Sequence, residues 1–295
     1  MKHSSLPVSL LLALMLALSA CAGAPISAAL PAQSTQAAAP VSDGTVTVTF
    51  IDVGQGDSTL IRTESAAMLI DGGVRAAYTR LTEVLDRKDI SHIDYVVATH
   101  PHADHIGGLV PLVGNNNGFS IGTVLMPNVA HTTRTYENFL TALIDNNISV
   151  AEPYPGKVIT LDDAVFTVIA PNSYGHSSLN NYSIVIVLDH AGNSFLFAAD
   201  AERDSELEML RYFDDISADV LRIGHHGSRT SSTHEFLDAV SPRYAVISAG
   251  EGNRYGHPHT VVIDRLTERD IDILITYELG DIVMISDSSG IRTQE

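Results

Sequence analysis

The feature that most constrains this chain is a cluster of three histidines and one aspartate within six residues, directly after a short apolar run. The cluster comprises His100, His102, Asp104 and His105. Imidazole and carboxylate groups together suit Zn, Mn or Fe. Because Pro101 disfavours a helix through His100, an extended backbone there directs His100 and His102 towards one point. The cluster therefore predicts a metal site, in preference to a surface loop that is polar by chance.

Composition limits the classes of protein that the chain can represent. The 295 residues include 45% apolar and 18% charged side chains, which is typical of a globular chain with one large or two modest domains. The 17 basic and 35 acidic residues give a formal charge of -18. An acidic surface repels phosphate backbones, which disfavours passive coating of nucleic acid. Nucleic acid as a substrate is not excluded, because bound metals add local positive charge.

The single cysteine excludes an intramolecular disulfide framework and a four-cysteine zinc site. Residues 1–20 are predicted to be a lipoprotein signal peptide, with Lys2 before an apolar run at 10–18 that is too short for a membrane span. Cys21 follows immediately and is the predicted lipidation site. The alternative is an ordinary signal peptide that contains a cysteine. We expect an exported protein at the outer face of the cell membrane, as a lipoprotein, or a secreted one.

Residues 21–44 are rich in Ala, Pro, Ser and Gln and are predicted to be a flexible tether before a catalytic domain at 45–295. Alternating apolar residues at 46, 48 and 50 predict the first strand. Further strands are predicted at 58–61, 67–70, 95–98, 122–126, 164–169, 183–189, 194–199, 219–223, 243–248 and 272–276. Helices are predicted at 77–88, 135–146, 202–212, 231–240 and 258–268. This mixture favours sheets packed between helices over a strict βαβ series. Gly107 and Gly108 are expected to allow close backbone approach after the histidine cluster.

The histidine cluster resembles the signature of the metallo-β-lactamase superfamily. The resemblance implies an αββα four-layer sandwich with a metal site, often dinuclear, at the sheet edges. It assigns His100 and His102 to one metal, and Asp104 and His105 to the other. Asp200 is expected to bridge the two metals. His225, which comes late in the sequence, is expected to complete the second metal site. Alternatively, Asp200 caps the next helix and His225 is a loop residue. Both follow predicted strands, which favours the metal site.

Many members of that superfamily have a further histidine between the cluster and the bridging aspartate. His176 and His190 lie in this interval, but neither is at the expected place. Residues 180–183 (NNYS) precede the strand instead. The first metal is then expected to be held more weakly, or by an amide or water.

Several further motifs resemble the extracellular hydrolase domain of the ComEC competence proteins. These motifs are residues 52–58 (DVGQGDS), 71–73 (DGG), 180–183 (NNYS), 225–228 (HHGS) and 254–259 (RYGHPH). Secreted phosphocholine esterases share part of the pattern. The resemblance spans roughly residues 46–290. Since no long apolar segments follow, we expect the chain not to be the DNA-uptake channel itself.

The resemblance implies an exported hydrolase with two divalent ions, Zn or Mn, and a metal-activated water. A phosphodiester, DNA included, is the leading substrate, and a small ester, lactone or phosphocholine group is the alternative. A metal-stabilised binding module without catalysis is the alternative of another class. A basic strip beside the site would favour nucleic acid, and a narrow apolar pocket would favour a small ester.

The same resemblance gives roles to individual residues. Asp104 is expected to bind metal and to orient the water. The predicted donors of a proton to the leaving group are His226, His257 or His259. The residues expected to contact substrate or to support the metal ligands are Asp57, Asp71, Asn181 and Ser228.

Overall fold

Two mixed β-sheets form the centre of the fold in the computed structural model, which describes residues 44–114 and 118–294. The strands are β1 (Val46–Phe50), β2 (Thr59–Arg62), β3 (Ala67–Ile70), β4 (His92–Val97), β5 (Ser120–Leu125), β6 (Ser149–Ala151), β7 (Val158–Leu161), β8 (Ala164–Ala170), β9 (Val185–His190), β10 (Asn193–Phe197), β11 (Val220–Arg222), β12 (Tyr244–Ile247), β13 (Asp272–Ile275), β14 (Ile282–Asp287) and β15 (Gly290–Gln294). The first sheet has the order β15-β14-β1-β2-β3-β4-β5-β6, and the second has the order β13-β12-β11-β10-β9-β8-β7.

Helices cover the outer face of each sheet. They are α1 (Tyr78–Arg87), α2 (Ala103–Ile106), α3 (Leu109–Val113), α4 (Arg134–Asp145), α5 (Arg203–Tyr212), α6 (His234–Val240), α7 (Thr260–Thr267) and α8 (Thr276–Leu279). Helices α1, α3 and α4 pack apolar side chains against the first sheet. Helices α5, α6 and α7 do the same against the second sheet. The layers therefore run α, β, β, α, which confirms the predicted sandwich.

A third apolar core fills the space between the sheets. The alternating side chains of Val46, Val48 and Phe50 point into it and are fully buried. Phe195 and Phe197 of β10 reach it from the other sheet, with ring centroids 6.4 Å apart. Burial of each such aromatic side chain contributes roughly 1.5–3 kcal/mol. The sequence alternation of β1 thus fixes which face of the strand points to the partner sheet.

Parallel pairing brings the functional loops to one edge of the sandwich. Strands β3 and β4 are parallel in the first sheet, and β10 and β11 are parallel in the second. Parallel neighbours end at the same edge of a sheet, where ligands commonly bind. Asp71 follows β3, the histidine cluster follows β4, Asp200 follows β10, and His225 and His226 follow β11.

The predicted strands and long helices are all present, with ends shifted by a few residues. Four strands were not predicted from the sequence: β6, β7 and β15 at sheet edges, and β14 in a hairpin with β15. All three residues of β6 are exposed, so this strand has no apolar alternation. The predicted signal peptide, Cys21 and residues 21–43 of the tether lie outside the described residues. In the described part of the chain, no helix is both long and apolar enough to cross a membrane.

Candidate metal centre

The loop after β4 leads into helix α2 through His102. His102 is extended (φ -74°, ψ 148°) and precedes α2, whose first turn contains Asp104. Two glycines let this helix sit close to the loop after β3. A Cβ atom on Gly108 would lie 2.0 Å from the carbonyl oxygen of Gly72. The close backbone approach predicted for these glycines is therefore confirmed.

One group of possible metal ligands comprises His100, His102 and Asp200, whose ligand atoms all lie within 4.8 Å of one another. Nε2 of His100 is 3.0 Å from Nδ1 of His102 and 3.7 Å from Oδ2 of Asp200. His100 and Asp200 are only 1% and 2% exposed. The histidine cluster and the loop after β10 therefore meet as the sequence predicts. Asp200 does not cap α5, because the residue at that N-cap is Glu202.

A second group comprises Asp104, His105 and His226. Nε2 of His226 lies 3.6 Å from Oδ2 of Asp104. Asp200 also borders this group, with Oδ2 at 3.2 Å from Nε2 of His105 and Oδ1 at 3.7 Å from Nε2 of His226. The carboxylate of Asp200 therefore stands between the two groups, which is the position that a bridging ligand requires. We call the two groups together the metal centre.

The two neighbouring histidines after β11 point in different directions. Both have left-handed backbone conformations, with φ 50° at His225 and φ 54° at His226. Such strained non-glycine residues concentrate at functional sites. The ring of His226 is 1% exposed and is directed inwards by a 2.9 Å contact between Nδ1 and the carbonyl oxygen of Ser248.

His225 turns towards Glu202 instead, with Nδ1 at 3.4 Å from Oε1. Its Nε2 atom is 3.7 Å from Oδ2 of Asp200. The geometry therefore differs from the sequence-based assignment of these two residues. It places His226, which was expected to protonate the leaving group, in the group with Asp104 and His105. It leaves His225, the expected late ligand, beside that group.

Buried polar atoms in the metal centre lack hydrogen bonds in a way that fits divalent ions. Oδ1 of Asp200, Nε2 of His105 and Nε2 of His226 are buried and make no hydrogen bond. Leaving such atoms unsatisfied is costly. Coordination by cations would satisfy all three atoms. The donor set of imidazole nitrogens and carboxylate oxygens suits Zn or Mn, so the residues present fit the predicted metals.

The electrostatic surroundings determine the protonation state of each ligand. Burial, followed by the charge of His105, holds the pKa of His100 well below its usual value, so the ring is neutral. Burial opposes ionisation of Asp200, but His105 and His226 outweigh it and hold the pKa of Asp200 well below its usual value. Burial also opposes the charge on His105, yet Asp200 and Asp71 raise its pKa well above the usual value. Metal binding at His105 therefore releases a proton.

Asp71 orients His105. Its Oδ2 atom lies 2.7 Å from Nδ1 of His105, and both side chains are fully buried. The backbone N–H and the hydroxyl of Thr99 donate to the same carboxylate at 2.9 Å and 2.7 Å. Carboxylates that hold the second nitrogen of a ligating histidine fix its tautomer and orientation. Asp71, Asp57 and His105 also lie close enough to form a third possible ligand group, but the hydrogen bonds of Asp71 favour the supporting role.

Asp57 forms an ion pair with Arg222, which the sequence analysis did not identify. The Nη2 and Oδ2 atoms are 2.6 Å apart, and both side chains are almost fully buried. Nη1 of Arg222 donates to the carbonyl oxygens of Ala199 and Ile223 at 2.6 Å and 2.8 Å. It also lies 4.0 Å from Oδ1 of Asp200. Arg222 thus links the loops after β1, β10 and β11 beneath the metal centre. An arginine inside the apolar strand β11 was the available sequence signal.

The residues of the NNYS segment support the loop after β10. Oδ1 of Asn181 accepts from the backbone N–H groups of Glu202 and Ser205 at 3.0 Å and 3.4 Å. The hydroxyl of Ser183 accepts from the N–H of Asp200 at 3.2 Å. The amide oxygen of Asn181 is therefore already used by the backbone, so it does not replace the missing histidine.

Ser228, a predicted substrate or supporting residue, and the histidines His176 and His190 lie outside the two ligand groups. The hydroxyl of Ser228 is 3.0 Å from that of Thr230, and its side chain is buried. His176 contacts Ser173 and Glu208, and His190 contacts Ser286, so neither joins the metal centre.

His131, to which the sequence gave no role, lies close to the first group. Its ring centroid is 5.6 Å from that of His102. No sequence signal distinguishes this lone loop histidine.

His257 and His259 lie beside the metal centre. The ring centroid of His257 is 5.5 Å from that of His225 and 6.2 Å from that of His226. Burial and the neighbouring histidines lower the pKa of His257 to about 4. Nδ1 of His257 is buried without a hydrogen bond, whereas Nδ1 of His259 accepts from the N–H of Arg229 at 3.1 Å. His257 is therefore the one of the two with a buried nitrogen that has no hydrogen bond.

Residues 51–251 match the Metallo-beta-lactamase superfamily. The chain belongs to this superfamily, and its fold and its paired His and Asp groups are those of a superfamily hydrolase. The solved structure of the metallo-beta-lactamase fold protein YhfI from Bacillus subtilis has the same fold, with a TM-score of 0.59 at 14% identity over 82% of this chain and 100% of that one. The diiron beta-hydroxylase CmlA from Streptomyces venezuelae also shares the fold, with a TM-score of 0.51 at 15% identity over 87% of this chain and 55% of that one.

Within the superfamily, the chain is related to competence proteins, as the sequence motifs predict. It is 32% identical to ComE operon protein 3 of Bacillus subtilis over 253 residues, which are 80% of this chain and 32% of that protein. It is 30% identical to Competence protein ComA of Neisseria gonorrhoeae over 258 residues, 86% of this chain and 34% of that protein. Recombination protein 2 of Haemophilus influenzae is 29% identical over 231 residues, 77% of this chain and 27% of that protein. The chain spans about a third of the length of these curated relatives.

Proposed function

We propose that the protein is a metal-dependent phosphodiesterase that cleaves nucleic acid. The observation that carries this proposal is the position of Asp200 between the two ligand groups, in contact distance of His100, His105 and His226. Paired metals that share a carboxylate are suited to phosphodiester displacement. The relationship to competence proteins supports a nucleic-acid substrate.

One ion would be held by His100, His102 and Asp200, and the other by Asp104, His105, His226 and Asp200. When bound, the two ions supply a water activated near neutral pH and positive charge for the reacting oxygens. Asp104 is 30% exposed, so its carboxylate borders the solvent from which water enters. It would accept a hydrogen bond from such a water and orient it. The ring of His257, beside those of His225 and His226, would contact the leaving group.

Of two cavities near the metal centre, the polar one is large enough for a phosphodiester, and the apolar one is small. A polar cavity of about 460 Å³ includes Glu202, the neighbour of His225, in its lining. Three arginines (Arg203, Arg229 and Arg265) and three carboxylates (Glu202, Asp204 and Glu235) line it. An apolar cavity beside His100 has a volume of about 10 Å³, which is too small for the acyl group of an ester.

We also propose that the enzyme acts outside the cell, attached to the membrane by a lipid on Cys21 or secreted. The support is the sequence of residues 1–21 alone. Cell fractionation of the wild type and of Cys21→Ala tests it. We expect the wild type in the membrane fraction and the variant in a soluble fraction; equal membrane retention of both would contradict the anchor.

The test of function is cleavage of single-stranded DNA and of bis-p-nitrophenyl phosphate by the purified protein, with added Mn or Zn and with chelator. We expect cleavage of both substrates that chelator abolishes. His100→Ala should abolish it too. His92→Ala is the matched control, because His92 is an exposed histidine at the opposite end of β4. Metal-dependent cleavage of the small diester alone would indicate that the substrate is a small ester or a phosphocholine group. Tightly bound metal without hydrolysis of any substrate would favour a binding module.

A further inference from the structure

An exposed tyrosine and an arginine form a pair at the edge of the metal centre. The guanidinium carbon of Arg254 lies 4.9 Å from the ring centroid of Tyr255, and Nη2 donates to the tyrosine hydroxyl at 2.7 Å. Tyr255 is 48% exposed, and Arg254 is exposed as well. The two side chains thus present an aromatic and cationic surface to solvent, and we call it the Arg254–Tyr255 pair.

The loop that carries the pair is fixed by one asparagine. Oδ1 of Asn253 accepts from the N–H groups of Tyr255 and His257 at 3.1 Å and 3.0 Å. Its Nδ2 donates to the carbonyl oxygens of Gly250 and His257 at 2.9 Å and 2.5 Å. The N–H of Gly250 in turn donates to Oε1 of Gln55 at 3.2 Å. A surface held in this way loses little conformational entropy when it binds a ligand.

The pair lies next to His257, which borders the metal centre. The ring centroid of Tyr255 is 5.6 Å from that of His257, with 23° between the ring planes. His257 in turn adjoins His226. The hydrogen bond with Tyr255, and to a smaller extent the charge of Asp104, raise the pKa of Arg254. A ligand group on the pair would therefore lie two ring contacts away from His226 of the metal centre.

The positive charge of Arg254 is available to a ligand. Across residues 44–114 and 118–294, no carboxylate lies within ion-pair distance of its guanidinium, whereas Arg222 and Arg269 have such partners. Aromatic rings and guanidinium planes are the surfaces on which unpaired nucleobases stack. A guanidinium also binds phosphate oxygens in a fixed geometry. Duplex DNA hides its base faces, so only a single strand can use such a surface.

We propose that the Arg254–Tyr255 pair binds the nucleotide next to the scissile phosphate of a single-stranded nucleic acid, by stacking with its base and by contact with its phosphate. This inference rests on the proposed phosphodiesterase function and adds the substrate class. It assigns to Tyr255 and Arg254 the role of binding residues, which hold the strand in register with His257 and the metal centre.

The test is binding of a fluorescein-labelled phosphorothioate oligothymidylate, which is charged and resists cleavage, to the full chain in Mn. The dissociation constant is read from fluorescence anisotropy. We expect Tyr255→Ala to weaken binding roughly tenfold or more, and Tyr255→Phe to retain most of the affinity because the ring remains. Tyr212→Ala is the matched control, since Tyr212 is 55% exposed at the far end of α5. It should bind as the wild type does.

A second measurement separates stacking from loss of folding. An oligonucleotide with abasic residues should bind the wild type as weakly as the thymidylate binds Tyr255→Ala. If Tyr255→Ala binds the thymidylate as tightly as the wild type, the inference is overturned, and the proposed function is untouched. If the wild type hydrolyses bis-p-nitrophenyl phosphate but binds no oligonucleotide, both the inference and the nucleic-acid substrate are overturned. If the wild type hydrolyses no diester, the proposed function itself fails, and this result does not involve Tyr255.

Discussion

Asp71 and His105 form a fully buried pair in which Oδ2 of the carboxylate lies 2.7 Å from Nδ1 of the imidazole. This contact leaves Nε2 of His105 facing Asp200 at 3.2 Å. The pair therefore determines both the tautomer of the imidazole and the direction in which it presents its second nitrogen. Neither residue is exposed, so the influence of Asp71 on activity acts through the orientation of His105.

Replacement of Asp71 should weaken metal binding. In Asp71→Asn the carboxylate that holds His105 is lost, and we expect roughly a tenfold to hundredfold loss of metal affinity. Competition with a chromophoric chelator measures this change. Asp162→Asn is the control, because Asp162 accepts hydrogen bonds from Thr63 and Ser65 in an exposed turn outside the metal centre. Equal metal affinity of Asp71→Asn and the wild type would contradict the supporting role.

The buried ion pair of Arg222 and Asp57 predicts a large loss of stability when one partner is removed. Arg222→Met leaves a buried carboxylate unpaired, which should lower the free energy of unfolding by about 3–5 kcal/mol. Adding Asp57→Asn to this variant should restore part of the loss. Arg292→Met, at an exposed ion pair with Asp287, should cost less than about 1 kcal/mol. Urea unfolding measures all three, and a loss at Arg222 no greater than at Arg292 would refute the prediction.

The tight contact of Gly108 with Gly72 predicts that even one methyl group is not tolerated. In Gly108→Ala the new Cβ would lie 2.0 Å from a backbone oxygen, which cannot move aside as a flexible side chain can. We expect a loss of at least about 3 kcal/mol in unfolding free energy. Gly252→Ala is the comparison, because Gly252 has a φ of +60° but no atom lies within 4 Å of the added Cβ. This variant should lose only the about 1–2 kcal/mol that a left-handed backbone costs a non-glycine residue. Thermal unfolding of both variants checks the difference, and equal losses would disprove the steric explanation.

Glu206 should make stability depend on pH. It is 1% exposed and accepts from the N–H of Ser232 at 2.5 Å and from the N–H and hydroxyl of Thr233. Burial raises its pKa to about 6, from 4.5. Because the folded pKa is above the unfolded one, the fold favours the protonated carboxyl. Its stabilising contribution is complete below pH 4.5 and is lost as the pH rises through about 6.

We expect this loss to be about 2 kcal/mol between pH 4.5 and pH 7. Glu206→Gln does not titrate, so it should lack this part of the pH dependence. Urea unfolding of both proteins in chelator, at the two pH values, compares them without a metal contribution. The same pH dependence in both proteins would show that Glu206 is not responsible.

The sequence predicted the fold and the main ligand groups because their signals are local. The spacing of His100, His102, Asp104 and His105 is fixed within one loop, and Asp200 directly follows an apolar strand. Alternation at Val46, Val48 and Phe50 likewise identified β1. These patterns do not depend on distant parts of the chain.

What the sequence could not predict depends on distant contacts or on backbone angles. Which of the two histidines, His225 or His226, points into the metal centre depends on their left-handed backbone angles and on the contact of His226 with the carbonyl oxygen of Ser248. Arg222 and Asp57 are far apart in sequence, so their pairing has no local signal. The strand β6 consists of three exposed residues and is defined only by its pairing with β5.

The most direct test of the shared metal centre is the metal content of the wild type and of Asp200→Ala. It is measured by elemental analysis after purification without chelator. Asp200 stands between both ligand groups, so we predict two equivalents of Zn or Mn in the wild type and less than one in the variant, with unchanged circular dichroism. Asp214→Ala, at an exposed aspartate, should keep both equivalents. A variant at Asp200 that keeps the full metal content, or a wild type without metal, would contradict the shared metal centre.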